Sequence, residues 1–85
     1  MSISADQCRA ARALIGWSQD QLAEASLVAK ATIANFESAK RNPYPRTLDD
    51  LRAALEAAGV VFQADGEMVE GGPGVRLKAH EFDRP

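Results

Sequence analysis

Ser18-Gln19-Asp20-Gln21-Leu22-Ala23-Glu24-Ala25-Ser26-Leu27-Val28-Ala29-Lys30-Ala31-Thr32-Ile33-Ala34-Asn35-Phe36-Glu37 is the stretch that decides the fold of this chain. Ser18 and Gln21 form a Ser-x-x-Gln capping box, in which each side chain satisfies a free backbone N–H of the other, so a helix opens at about Gln19. Trp17 just before the cap and Leu22 at the fourth helical position are the pair expected of a hydrophobic staple, which makes Trp17 a core residue. The period breaks at Ser26-Leu27-Val28, ending this helix near Ala25, and reopens at about Lys30. There Ile33 and Phe36 point inward at i, i+3 spacing, while Lys30, Ala31, Thr32 and Asn35 lie on other faces. The reading is a short helix, a tight turn and a second helix with a small, polar outer face. Such a face can approach another surface closely and still offer donors and acceptors.

Upstream, Ser4 and Gln7 form a second capping box, and the spacing predicts a helix from Ala5 to Ile15 that ends at Gly16, a residue free to take positive φ. Ile3 and Cys8 can staple it. Cys8, Ala11 and Ile15 share one face, so Cys8 reads as a small buried apolar group rather than a nucleophile. Downstream, Lys40-Arg41-Asn42-Pro43-Tyr44-Pro45 reads as a stiff basic loop, because each proline disfavours helix in the residue before it and removes a backbone donor. A fourth helix is expected after Thr47 as N-cap, with Asp49 and Asp50 in its first turn, Leu48, Leu51, Leu55 and Ala58 on its buried stripe and an end at Gly59.

Beyond Gly59 the period changes. Residues 60–64 (Val-Val-Phe-Gln-Ala) and 75–79 (Val-Arg-Leu-Lys-Ala) read as two strands, separated by Asp65-Gly66 and by Gly71-Gly72-Pro73-Gly74. A lone two-stranded hairpin is marginal in water, so it must pack on the helices or pair with the same element of another chain, and the second is preferred here. The predicted architecture is therefore mainly α: four helices over residues 1–59, a C-terminal β-hairpin over 60–79, and a loose polar tail over 80–85. The lone His80 in that tail reads as solvated.

The chain has 85 residues, 46% hydrophobic and 26% charged, which fits one small soluble domain. So short a chain buries only about 60% of its unfolded surface, and self-association is expected to supplement its core. One Cys and one His exclude an internal disulfide and fall short of the four ligands of a structural zinc site. Neither a membrane span nor a signal peptide is legible, and a reducing cytoplasm is the expected location. An enzyme fails for lack of parts: there is no second His, no nucleophile-base pair and no metal ligand set, and no cofactor is expected. Gly71-Gly72-Pro73-Gly74 is not followed by a helix pattern and reads as a turn, not a phosphate loop. Net charge is -2, but its distribution is uneven. Residues 30–46 carry Lys30, Lys40, Arg41 and Arg46 against Glu37 alone, whereas residues 53–85 carry Arg76, Lys78 and Arg84 against six acids.

Arg12, Gly16-Trp17-Ser18-Gln19, Leu22-Ala23, Ala31-Thr32-Ile33 and Phe36-Glu37 together resemble the helix-turn-helix family of phage repressors and Cro proteins, the xenobiotic-response-element family of bacterial regulators. The resemblance covers residues 3 to 58. The tail resembles a short subgroup of these regulators that ends in a β element. What the resemblance implies is a sequence-specific transcriptional regulator, repressor or activator, that binds double-stranded DNA as a homodimer. Its half-sites would lie about 34 Å apart, with the third helix in the major groove.

By the same resemblance, Lys30, Ala31, Thr32 and Asn35 are expected at base edges. Lys30 would donate to guanine O6/N7, Asn35 would pair with adenine and Ala31 would touch a thymine methyl. Ser18, Gln19, Ser38, Lys40 and Arg41 are expected at phosphates, and Arg12 is expected to pair with Glu37. Val60, Phe62, Val75 and Leu77, in the predicted hairpin, are the expected dimerisation residues. Two departures stand out: Leu27 occupies the turn position where the family usually carries Gly, and Ala29 the position of a capping Ser or Thr. The competing reading is an antitoxin-like or other protein-interaction module whose acidic C-terminal half binds a partner protein.

Overall fold

In the computed structural model, residues 2–78 are described, and they form four helices: α1 (Ala5–Ile15), α2 (Gln19–Ser26), α3 (Lys30–Glu37) and α4 (Pro45–Ala57). Both capping boxes form. Ser4 Oγ accepts from Gln7 N at 3.1 Å while Gln7 Oε1 accepts from Ser4 N at 2.9 Å. Ser18 Oγ accepts from Gln21 N at 3.1 Å while Gln21 Oε1 accepts from Ser18 N at 2.8 Å. Gly16 closes α1 in the left-handed region, with φ 68°, which lets the chain reverse and restart a helix within three residues.

The turn between α2 and α3 is closed differently. Leu27 itself takes the left-handed conformation, φ 60° and ψ 25°, and its N–H reaches Ala23 O. Ser26 completes the turn from inside: its hydroxyl donates to Leu22 O at 2.7 Å and accepts from Val28 N at 3.2 Å. The buried Ser26 hydroxyl thus gives the Val28 N–H an acceptor at the turn.

α2 packs on α3 and α4, and α1 packs on the same two helices. Leu22, Ile33, Leu51, Leu55 and Cys8 are the fully buried side chains at their junction, with Ile3, Ala11, Val28 and Phe36 around them. Each large one contributes about 1.5–3 kcal/mol by leaving water. Trp17, Ile15 and Leu48 are partly buried against this core.

Two sequence expectations are corrected. α4 begins at Pro45, with Tyr44 rather than Thr47 at the N-cap. Pro45 sits at the first helical position, where the missing N–H costs nothing and the fixed φ suits the helix. The second correction concerns the C-terminal hairpin: there is no β-strand among the described residues. Residues 60–63 run without regular structure against the helices, with Val60 and Phe62 each 8% exposed in the chain's own core. Acceptors that a partner strand would need are taken by side chains and by a local turn. Gln63 O accepts from Gln7 Nε2 at 3.1 Å. Ala64 O accepts from Glu67 N at 2.9 Å and from Arg76 Nη2 at 3.0 Å. Val75, by contrast, is 96% exposed. The expected second strand runs to Ala79, which, like the tail and His80, lies outside the described residues.

Candidate nucleic-acid interface

α3 has two dissimilar sides. Ile33, Phe36 and Glu37 are buried, while Lys30, Ala31 and Asn35 are exposed and Thr32 is half-buried. The four expected base-reading residues are thus on or beside one outward surface. Asn35 also organises the turn that leaves the helix: its backbone carbonyl accepts from Lys40 N at 2.9 Å and Arg41 N at 3.3 Å, and from the Ser38 hydroxyl at 3.3 Å. Ala39, with φ 62°, provides the reversal. This fold-back sets exposed Lys40 and Arg41 directly beside the C-terminal end of α3. Ser38 is exposed too, as the C-cap residue.

The ends of α2 and α3 meet at a charge pair. Lys30 Nζ lies 3.2 Å from Asp20 Oδ1. Ser18 is exposed and occupied in its capping box. Gln19 is turned inward: its Nε2 donates to Glu37 Oε1 at 3.0 Å. One donor of that side-chain amide is used within the protein.

Glu37 is the fixed point of the interface. Its side chain is 2% exposed, and it forms a bidentate pair with Arg12, Nη2 to Oε1 at 2.6 Å and Nε to Oε2 at 2.7 Å. The Cys8 thiol donates to Oε2 at 3.1 Å, and Arg12 Nη1 donates to Trp17 O at 2.9 Å. Arg9 joins from the next position on α1, bonding both Glu37 O and Asp6. Burial pushes the Glu37 carboxyl up, but the hydrogen bonds from Arg12, Gln19 and Cys8 outweigh it and hold the group below its ordinary value. Bonding to Glu37 raises the Arg12 guanidinium against the opposing effect of burial. Burial first, then the bond to Glu37 and its charge, push the Cys8 thiol up to about 12.

Sequence reasoning does not find Asp20, Arg9 or the inward amide of Gln19. The i, i+3 spacing of Asp6 and Arg9 is a local signal for one of these contacts. Nothing local links Asp20 to Lys30, ten positions away, or Gln19 to Glu37.

The four expected dimerisation residues are split. Val60 and Phe62 are in the core, whereas Val75 and Leu77 are exposed, Leu77 by 59%. The exposed pair lines a groove of about 610 Å³ with Leu14 of α1 and Val61. Among the described residues there is no group of His, Cys, Asp and Glu that could hold a metal ion, and no helix is long and apolar enough to cross a membrane.

A family model for the helix-turn-helix matches residues 9–58. No curated protein matches the chain. The matched residues run from within α1 to the end of α4, more than half of the chain, and stop before the C-terminal segment. That segment is where the structure departs from the sequence reading, and it is by the four-helix unit that this chain belongs to the Cro/C1-type helix-turn-helix family, a family of DNA-binding domains.

Proposed function

We propose that this protein is a sequence-specific regulator of transcription that works in the cytoplasm as a homodimer on an inverted repeat in double-stranded DNA. α3 enters the major groove with Lys30, Ala31, Thr32 and Asn35 toward base edges, and Lys40 and Arg41 contact phosphates. The observation that carries this reading is the asymmetry of α3. Its inner side is locked into the core through Ile33, Phe36 and Glu37, and its outer side is small, polar and flanked by two exposed cations.

Dimer formation is supported by the apolar residues that one copy leaves in water: Leu14 is 63% exposed, Val61 54%, Val75 96% and Leu77 59%. Burying them against a second copy would take that apolar surface out of water.

Selection of bound sequences from random duplex DNA at near-physiological salt, with light-scattering mass, tests the reading. An inverted repeat bound by a dimer is expected. Lys30→Ala and Asn35→Ala should each lose about 1–3 kcal/mol of discrimination at one position. Lys40→Ala should weaken all sequences alike and shallow the salt slope by about one unit. Enrichment of no sequence would reject the reading in favour of a protein-interaction module.

A further inference from the structure

The basic end of α3 is not bare. The Lys30 ammonium lies 3.2 Å from Asp20 Oδ1 and 3.3 Å from Oδ2, with the two side chains 57% and 71% exposed. Asp20 belongs to the first turn of α2 and Lys30 is the first residue of α3, so the pair joins the N-terminal ends of two helices. Lys30 is badly placed for a cation on its own, since a helix N-terminus carries partial positive charge. Ala29 adds no side-chain cap there. The Asp20 carboxylate lies where it can supply a countercharge.

We propose that Asp20 is a positioning residue that sets the sequence specificity of the interface by controlling where Lys30 can donate. The inference rests on the DNA-reading role of α3 proposed above. A lysine on a long flexible stem, facing DNA, finds phosphates more readily than base edges, and phosphates carry no sequence information. Asp20 works against that default in two ways. It occupies the ammonium, so that a phosphate must displace a carboxylate to capture it. It also places a negative charge beside the very phosphates that would do so, a repulsive element of the kind that separates right from wrong partners. An ammonium has three donors, so it can bond a guanine O6 or N7 while still touching Asp20. On a sequence with no acceptor at that position, Lys30 stays on Asp20 and the pair adds no favourable contact.

The test uses the full chain with Asp20→Asn and Asp20→Glu, titrated against its selected duplex and a scrambled duplex over a range of salt. Asp20→Asn is expected to bind scrambled DNA about two- to fivefold more tightly, the scale of one exposed ion pair. Its salt dependence on scrambled DNA should steepen by about 0.9, the slope of one added phosphate contact. Repeated selection should lose preference at the single position read by Lys30, and Asp20→Glu should restore most of it. An unchanged ratio of selected to scrambled affinity in Asp20→Asn overturns the inference. So does a change that Asp20→Glu fails to reverse and that follows thermal stability, because Asp20 then serves only the dipole of α2. If the native chain itself selects no sequence, the DNA-reading role of α3 fails, and this inference with it.

Discussion

Replacing Arg12 with Met strands the Glu37 carboxylate in the core. Glu37 is 2% exposed and keeps two other donors, Gln19 at 3.0 Å and Cys8 at 3.1 Å, neither of which carries a charge to neutralise it. Breaking a buried ion pair by removing one partner costs about 3–5 kcal/mol. A chain of this length has roughly 4–13 kcal/mol in total, so Arg12→Met should lie near or beyond its unfolding threshold at neutral pH. Arg12→Met/Glu37→Met, with no orphaned charge, should regain most of the loss. Urea unfolding followed by far-ultraviolet circular dichroism measures both.

The pH dependence gives a second check with its own sign. In the native protein the Glu37 carboxyl is held below its ordinary value. The corresponding stability is fully present above the unfolded carboxyl pKa of about 4.3 and is lost as pH falls through the folded value. In Arg12→Met, burial prevails and raises the carboxyl, so protonation relieves the penalty as pH falls. The gap between native and variant should therefore narrow from pH 7.5 to pH 4.5. A cost below about 1 kcal/mol at neutral pH would refute the reasoning, since that is the scale of an exposed pair. A gap that stays constant with pH would refute it as well.

Leu27→Gly should stabilise the fold by about 0.5–1 kcal/mol, because relief of left-handed strain outweighs the added freedom of the unfolded chain. Leu27 is 91% exposed, so little packing is lost; a lower melting temperature would contradict this. Ala29→Ser should add about 1 kcal/mol by capping α3, since the backbone at Ala29 is already extended with φ -60° and ψ 138°. Calorimetry decides it, and an unchanged transition would mean the hydroxyl does not reach the helix N–H groups. Cys8, with its thiol pushed up to about 12, should be about one part in ten thousand thiolate at pH 8 and resist alkylation until the protein is unfolded in urea. Native labelling at the rate of a free thiol would show that it is accessible.

How far the sequence discloses this structure depends on the range of the signal. The capping boxes at Ser4 and Ser18 are legible because both partners lie three residues apart, and both ends of α1 agree with the sequence reading. Gly16 is legible for the same reason. The start of α4 is not, because proline carries two opposite signals: it breaks a helix from within yet favours one at the first helical position, where Pro45 stands. The strand pattern is ambiguous in a similar way. Val60 and Phe62 are apolar and alternate, yet what alternation measures is burial on one side, and here the helices bury that side without a second strand. Gln19 reads as a phosphate contact from its place at the start of α2, whereas its bond to Glu37 and the Lys30–Asp20 pair are hidden by sequence separation.

The single carboxylate of Glu37 ties α1 through Arg12 and Cys8, α2 through Gln19, and α3 through its own backbone. One buried carboxylate therefore couples three helices, and their mutual orientation is set by folding. In the proposed complex the entropy surrendered on association would fall mainly on long side chains, Lys30, Lys40 and Arg41 foremost, at about 0.5–1.5 kcal/mol for each that becomes fixed. Such a complex would then draw little of its binding free energy into orienting the helices themselves. Whatever duplex the proposed interface meets, the relative placement of its helices is decided when the chain folds.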